Sequence, residues 1–278
     1  MKLFRHGTPG HERAGAVDQN GVKRDISLLV PDITPDWLAP EKLAAIEAID
    51  LTKLPIVGDD IRFGMPVSGS RQFIAIGLNY RKHAAEANMQ APKEPLVFNK
   101  ALTSLHGPND DVVWPEGSEK MDWEVELGVI IGVKAQRVTH DAALKFVAGY
   151  CLANDVSERE WQTSRSGQWV KGKSFDTFGP IGPYLVTSAS LPDPQNVPIS
   201  LKVNGVTRQS SDTSDMIFTV AEIVSHLSQF MTLLPGDVIV TGTPEGVGLG
   251  MKPPLFLKRG DVVELDGGIL GSQRQRVV

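Results

Sequence analysis

The sequence has a single cysteine in 278 residues, 6% aromatic residues and no run of lysine or arginine. The one cysteine, Cys151, can form no internal disulfide, and its position inside an apolar segment favours a buried structural thiol over a nucleophile. A formal net charge of −5 and a pI near 5.7 argue against a basic surface for nucleic acid. We therefore expect no nucleic-acid partner.

Long apolar runs are also missing. Nowhere do about 18 apolar residues follow one another, which is the length that spans a membrane. Residues 1–7 lack the apolar core of a signal peptide. We therefore expect a cytoplasmic protein with no membrane partner. The composition, with 41% hydrophobic and 22% charged residues, is that of a globular protein large enough for one large domain and a smaller one.

The beginning of the chain has the pattern of a small separate unit. Short predicted strands surround Asn20-Gly21, which is a strong hairpin signal. A helix is predicted from Pro40, and a segment rich in proline and glycine follows it. We predict a small N-terminal domain over residues 1–68 and a catalytic domain over residues 69–278.

Two glutamates and one aspartate stand out in the larger unit. Residues 122–133 alternate in the manner of a strand, which places Glu124 and Glu126 on one face. Two adjacent like charges repel each other, so a positive charge is expected between them. A second apolar segment ends at Asp155, where an aspartate is also common as a simple turn residue. Three carboxylates are hard oxygen ligands, and the set favours Mg²⁺ or Mn²⁺ over zinc.

A histidine and a glutamate lie close together earlier in the chain. Asn79 is a candidate cap of a short alanine-rich helix, which would place His83 and Glu86 three residues apart on one face. A carboxylate beside an imidazole orients the ring and raises its basicity, as a base acting on water requires. The alternative is an exposed helix pair that contributes a few tenths of a kcal/mol.

Residues 167–174 match the phosphate-loop pattern G-x-x-x-x-G-K-[ST], with Lys173 as the lysine. The pattern requires a buried strand before it and a helix after it. Here a polar segment precedes it, and Pro180 and Pro183 follow it. The context disfavours nucleotide binding and leaves Lys173 as a cation near the carboxylates.

From residue 184 the pattern is mostly that of strands separated by turns. One amphipathic helix interrupts them, and its capping box is formed by Thr219 and Glu222 with the apolar stripe Val220, Ile223, Val224, Leu227, Phe230 and Met231. A second capping box, Ser157 to Glu160, predicts a helix that carries Gln162. Glycines in residues 242–250 allow a small ligand to approach the backbone, with the Thr243 hydroxyl as a contact.

Several ordered motifs together resemble the fumarylacetoacetate hydrolase family over about residues 70–276. They are Gly77-Leu78-Asn79-Tyr80 with His83 and Glu86, Asp122-Trp123-Glu124-Val125-Glu126-Leu127, Asn154-Asp155, Lys173-Ser174-Phe175, Met216-Ile217-Phe218 and Thr241-Gly242-Thr243-Pro244. The chain is similar to bacterial members labelled ureidoglycolate lyase or diketo-sugar-acid hydrolase. The resemblance implies a strand-rich α+β fold, a mixed β-roll with few helices, and a homodimer.

The resemblance also implies roles for individual residues. The metal ligands for Mg²⁺ or Mn²⁺ would be Glu124, Glu126 and Asp155, the catalytic residues His83, Glu86 and Lys173, and the substrate contacts Gln162, Thr243 and Lys100. Leu78 stands where some members carry arginine, so no carboxylate contact is carried over at this position.

The implied activity is metal-dependent hydrolysis of a C–C bond in a small 2,4-dioxo acid, either an acylpyruvate or a diketo-deoxy sugar acid. Lyase activity on ureidoglycolate, and decarboxylase or isomerase activity on a related 2-oxo acid, are alternatives within the same site. A phosphate-loop nucleotide binder and a non-catalytic metal-binding protein are the alternatives from other classes.

Overall fold

The computed structural model describes residues 1–278, which form sixteen strands and four α-helices. The strands are β1 (Lys2–His6), β2 (Arg13–Val17), β3 (Lys23–Asp25), β4 (Phe73–Gly77), β5 (Leu96–Lys100), β6 (Leu105–His106), β7 (Met121–Asp122), β8 (Val125–Ile131), β9 (Val147–Asn154), β10 (Ser157–Glu158), β11 (Gly179–Thr187), β12 (Pro198–Val203), β13 (Val206–Asp212), β14 (Val238–Val240), β15 (Val262–Asp266) and β16 (Ser272–Arg276). The helices are α1 (Pro40–Glu47), α2 (Arg81–Glu86), α3 (Val170–Lys173) and α4 (Val220–Phe230). None of the helices is long and apolar enough to cross a membrane.

Two sheets contain fourteen of the sixteen strands. The larger sheet has ten strands in the order β3-β2-β1-β11-β9-β8-β14-β4-β5, with β6 beside β11. It is mixed, because β14 runs parallel to β4 whereas β8 and β9 are antiparallel. The second sheet has the order β13-β12-β15-β16, and β7 pairs separately with β10. The predicted strand-rich α+β fold is confirmed.

Strands β8 and β9 lie in the centre of the larger sheet, and every residue in them is buried. One face packs Leu127 and Tyr150 into a cluster with Leu201 and Leu265 of the second sheet. The opposite face packs against residues of the N-terminal segment. A strand that is covered on both faces is apolar at nearly every position, which explains the continuous apolar sequences seen here.

Cys151 lies in β9 and is fully buried. Burial raises the pKa of its thiol to about 12, so the nucleophilic thiolate is strongly disfavoured at neutral pH. The predicted structural role of Cys151 is confirmed.

The N-terminal strands extend the larger sheet. β1 pairs antiparallel with β11, and β2 and β3 continue the sheet outward from β1. The Asn20-Gly21 turn joins β2 to β3 as the sequence predicts, and the Asp18 carboxylate accepts hydrogen bonds from the backbone of Asn20 and Val22. Because these strands belong to the larger sheet, the boundary at residue 68 does not separate two sheets. The division into two domains at this residue stays a prediction.

Two predicted helix caps are wrong. The N-cap of α2 is Tyr80, and the Asn79 side chain instead exchanges hydrogen bonds of 2.8–3.0 Å with backbone groups of Phe218 and Thr241. Ser157 lies in β10, and its hydroxyl donates to the Asp155 carbonyl. Asn79 bonds backbone groups far along the chain, and Ser157 bonds a carbonyl that precedes it. The pattern of adjacent residues does not reveal either partner.

The capping box of α4 is present, with Thr219 and Glu222 each bonding the other's backbone. The buried stripe is shorter than predicted. Phe230 is 58% exposed, and Met231 is the C-cap residue rather than part of the helix. The helix therefore buries its first two turns and leaves its last residues at the surface.

Candidate active site

The three predicted acidic ligands converge at one end of the paired strands β8 and β9. Glu124 precedes β8, Glu126 lies within it, and Asp155 follows β9 directly. The antiparallel register places Val125 opposite Asn154, which brings the start of one strand beside the end of the other. One ligand atom from each carboxylate lies within 4.8 Å of the others, and all three residues are buried.

Two lysines lie against these carboxylates. Lys173 Nζ is 2.7 Å from Glu124 Oε2 and 2.6 Å from Asp155 Oδ2. Lys100 Nζ is 2.5 Å from the other oxygen of Asp155. Burial lowers the pKa of Lys173, but the charges of Asp155 and Glu124 raise it above its ordinary value. Burial lowers the pKa of Lys100, and the neighbouring Lys173 lowers it further against the opposing effect of Asp155.

The surroundings of the two glutamates shift their pKa values in opposite directions. Burial raises the pKa of Glu124, but Lys173 and Arg159 overcome this effect and bring it to about 2. The pKa of Glu126 is raised well above its ordinary value by burial and by repulsion from Asp155 and Glu124. Glu126 Oε2 accepts a hydrogen bond of 2.7 Å from the Gly242 N–H, whereas its Oε1 accepts none.

This donor set fits a divalent cation. The three residues offer hard carboxylate oxygens, which Mg²⁺ and Mn²⁺ prefer. The unbonded Glu126 Oε1 and the mutual repulsion of the buried carboxylates indicate that a positive charge is needed at this point. Glu124, Glu126 and Asp155 are therefore the residues that would hold the ion.

Arg159 is a site residue that the sequence analysis missed. Its Nε donates to Asp122 at 2.8 Å, its Nη1 donates to Gln162 at 2.9 Å, and its Nη2 lies 2.7 Å from Glu124 Oε1. The last contact is an ion pair without hydrogen-bond geometry. The only sequence signal is the position of Arg159 four residues after Asp155, because both of its acidic partners lie in a distant segment, residues 122–124.

His83 and Glu86 meet on α2 as predicted. His83 Nδ1 lies 3.0 Å from Glu86 Oε2, and Glu86 Oε1 accepts a hydrogen bond from the Gly246 N–H. A carboxylate partner favours the tautomer with the proton on Nδ1, which leaves Nε2 able to accept a proton. The pair is partly shielded, with side-chain exposures of 13% and 20%.

We call Glu124, Glu126 and Asp155 the acidic cluster. Its two glutamates and the His83 ring border one cavity of about 40 Å³, lined by Ile76, Gly77, Leu78, His83, Phe98, Glu124, Glu126, Arg159, Gln162, Trp169, Lys173 and Thr243. Gln162 and Thr243, the predicted substrate contacts, are both among the lining residues. The Thr243 hydroxyl donates to the Val125 carbonyl and accepts from Gln209. Lys100 does not line the cavity, and its ammonium group is bound to Asp155.

The phosphate-loop alternative is contradicted. Helix α3 ends at Lys173 instead of beginning there, and the segment before it is a π-helical turn, Glu160–Ser164, instead of a buried strand. The Lys173 ammonium group is bound to two carboxylates, so it is not free to hold a phosphate.

Comparisons with known proteins identify the family of this chain. The family model for the fumarylacetoacetate (FAA) hydrolase C-terminal domain matches residues 72–278. A protein of Burkholderia orbicola (strain MC0-3), which carries the provisional name of a hydrolase, is 54% identical over 277 residues, 99% of this chain and 98% of the relative.

Solved structures match over the whole chain. Fumarylacetoacetate hydrolase from Exiguobacterium antarcticum has a TM-score of 0.88 at 36% identity, covering 100% of this chain and 99% of that one. Maleylpyruvate hydrolase from Sphingobium sp. SYK-6 has a TM-score of 0.82 at 30% identity, with the same coverage. A 5-carboxymethyl-2-hydroxymuconate delta-isomerase from Mycobacterium smegmatis has a TM-score of 0.77 at 32% identity, covering 100% and 98%. The chain is a member of the fumarylacetoacetate hydrolase family, whose enzymes include hydrolases and isomerases.

Proposed function

We propose that this protein is a Mg²⁺- or Mn²⁺-dependent hydrolase that cleaves a C–C bond in a small 2,4-dioxo acid of the acylpyruvate or diketo-deoxy sugar acid type. The observation that carries the proposal is the position of His83, which Glu86 contacts, beside Glu124 and Glu126 on the same small cavity. The similarity to maleylpyruvate hydrolase supports this substrate class.

The acidic cluster would hold the ion, and Lys173 and Arg159 would offset part of the negative charge of its carboxylates. A bound divalent cation supplies Lewis-acid chemistry to an oxygen-rich substrate. Lys173 and Arg159 provide fixed positive charge beside the cavity, where negative charge develops on the substrate during the reaction. Gln162 is held by Arg159 in a position to donate its amide N–H to a substrate oxygen.

His83 is the proposed general base. With Nδ1 held by Glu86, its Nε2 removes a proton from water, and the hydroxyl adds to the carbonyl farther from the substrate's carboxylate. The C–C bond then breaks, its electron pair leaves with the three-carbon fragment, and the proton is returned to that carbon. One water is consumed, and pyruvate and a second carboxylic acid are released.

The test is pyruvate release from acylpyruvates in the presence of Mg²⁺ or Mn²⁺. We expect His83→Ala to lower kcat by about 10²-fold or more, which is the usual contribution of a general base. His226→Ala is the matched control, since His226 packs against Phe230 on α4 and does not line the cavity. Unchanged cleavage by His83→Ala would contradict the mechanism.

Isomerase activity is the second candidate, and the likeness to the Mycobacterium smegmatis isomerase favours it. An isomerase needs the same base and the same cation site but no attack by water. Exchange of the substrate's C3 protons for deuterium without pyruvate release would identify this reaction. A panel that includes ureidoglycolate and 2-oxo acids tests the lyase and decarboxylase alternatives, and metal binding without any turnover would indicate a non-catalytic protein.

A further inference from the structure

The cavity has two chemically different parts. Its floor is formed by the charged residues Glu124, Glu126, Arg159 and Lys173. Its apolar part is formed by Ile76, Gly77, Leu78, Phe98 and Trp169. Leu78, Phe98 and Trp169 are only partly buried, so they form the side of the cavity nearest to solvent.

No lysine or arginine is available in the apolar part. The two cations that line the cavity, Arg159 and Lys173, are each bound to two carboxylates. Lys82 follows the apolar segment in sequence, but its side chain is 64% exposed, lies beside Glu245 and does not line the cavity. A second carboxylate on the substrate would therefore lose part of its hydration against these apolar side chains without gaining a cationic partner.

Close packing holds the apolar wall in place. A Cβ atom on Gly77 would lie 2.5 Å from the Trp169 ring, so the two segments touch at this point. The Trp169 ring packs edge-on against Phe98 with 5.3 Å between the centroids. Lys173 Nζ lies 5.4 Å from the centroid of the same Phe98 ring. Phe98 therefore contacts both the charged floor and Trp169.

Leu78 is held at this wall by its backbone. Its φ of 53° lies in the left-handed region, which is uncommon for a leucine. The next residue, Asn79, fixes the turn through its hydrogen bonds to Phe218 and Thr241. Strained backbone positions cluster at functional sites, which supports a role for the Leu78 side chain here.

Resting on the proposed hydrolase function, we propose that the substrate's far end is uncharged. The enzyme selects acylpyruvates whose acyl chain carries no second carboxylate, and Leu78 is the residue that determines this selection. The substrate's single carboxylate and its two carbonyl groups face the charged floor, and the neutral chain lies against Leu78, Phe98 and Trp169.

The test compares butyrylpyruvate with succinylpyruvate, which have the same number of carbons and differ in the terminal methyl or carboxylate. We expect wild-type kcat/KM to be about tenfold or more higher for butyrylpyruvate, since a partly desolvated carboxylate without a cationic partner is disfavoured against an apolar wall. Leu78→Arg places a cation at the wall and should shift this ratio about tenfold or more toward succinylpyruvate. Leu78→Met is the control that keeps the wall apolar and should keep the wild-type preference.

Binding gives a second measurement that does not depend on turnover. Calorimetric Kd values for both compounds, measured on His83→Ala with Mg²⁺, should follow the same order. Equal or better use of succinylpyruvate by the wild type would overturn the proposal. An unchanged ratio in a folded Leu78→Arg variant would overturn the assignment to Leu78, and Leu78→Gln replaces that variant if it does not fold.

The outcome separates the two proposals. If wild-type enzyme cleaves neither compound but binds butyrylpyruvate more tightly, the selection stands and the hydrolase function fails. If it cleaves succinylpyruvate at least as efficiently as butyrylpyruvate, the hydrolase function stands and the selection fails. If neither compound is bound, both proposals are contradicted.

Discussion

The Glu86 carboxylate accepts a 2.9 Å hydrogen bond from the backbone N–H of Gly246, 160 residues farther along the chain. Its other oxygen contacts His83. Glu86 therefore joins the proposed base to the glycine-rich loop that also supplies the Gly242 N–H to Glu126. The Glu86 carboxylate thus links α2, which carries His83, to the loop that contacts Glu126.

Replacing Glu86 by glutamine tests this link. The amide would keep the shape of the side chain but could no longer stabilise a protonated His83, so we expect Glu86→Gln to lower kcat by about 10²-fold. KM should change much less, because the cation site and the cavity wall are retained. The pH profile of kcat should also shift, which a purely structural role of Glu86 would not cause. Glu94→Gln, at an exposed position, is the control.

Metal addition should stabilise the fold through the acidic cluster. At a Mg²⁺ concentration of 100 times Kd, binding to the folded state alone contributes about 2.7 kcal/mol to the free energy of unfolding. Glu126→Gln should abolish most of this gain. In EDTA the same variant should be more stable than wild type by about 1 kcal/mol, because the neutral amide removes the repulsion from Asp155 and Glu124.

Melting curves with EDTA and with Mg²⁺ measure both effects. Glu264→Gln, on the partly exposed strand β15, is the control and should behave like wild type. An equal rise of Tm with Mg²⁺ in wild type and in Glu126→Gln would exclude Glu126 as a ligand.

Acid should weaken the contact between the N-terminal segment and the rest of the chain. Arg62 bridges Glu12 at 2.8 Å and Asp110 at 2.6 Å. Burial raises the pKa of Glu12, but the hydrogen bond from Arg62 and the charge of Arg5 bring it below the ordinary value of 4.5. The stability contributed by Glu12 is therefore present above about pH 4.5 and is lost as the pH falls through the lower, folded-state pKa.

Urea midpoints between about pH 6 and pH 3 measure this effect. The midpoint should fall with decreasing pH in wild type, and Glu12→Gln should show a smaller fall from a lower starting value. A variant with the same pH dependence as wild type would show that Glu12 does not contribute.

The centre of the larger sheet should tolerate no side chain at Gly149. A Cβ atom at this position would lie 2.1 Å from the Val186 carbonyl oxygen on the neighbouring strand β11. We expect Gly149→Ala to lower the free energy of unfolding by about 3 kcal/mol, since overpacking forces the backbone to move. Gly58→Ala is the control, because no atom lies within 4 Å of its added Cβ. A Gly149→Ala protein as stable as this control would contradict the strand packing.

The sequence determined those features that depend on neighbouring residues. Alternation of apolar residues predicted the central strands, and the i, i+3 spacing of His83 and Glu86 predicted their contact at 3.0 Å. The spacing of Glu124 and Glu126 in one strand placed two carboxylates together. These predictions needed only the geometry of one strand or one helical turn.

The tertiary structure alone decided how distant groups neutralise one another. Arg159 binds Asp122, Glu124 and Gln162, Lys100 contacts Asp155 instead of the cavity, and Asn79 bonds a distant backbone instead of capping α2. Each of these polar groups is buried, and a buried polar group takes whichever partner the packed fold brings near it. That partner can lie anywhere in the chain, so the pattern of adjacent residues predicts the carboxylates of this site but neither Arg159 nor the contact of Lys100 with Asp155.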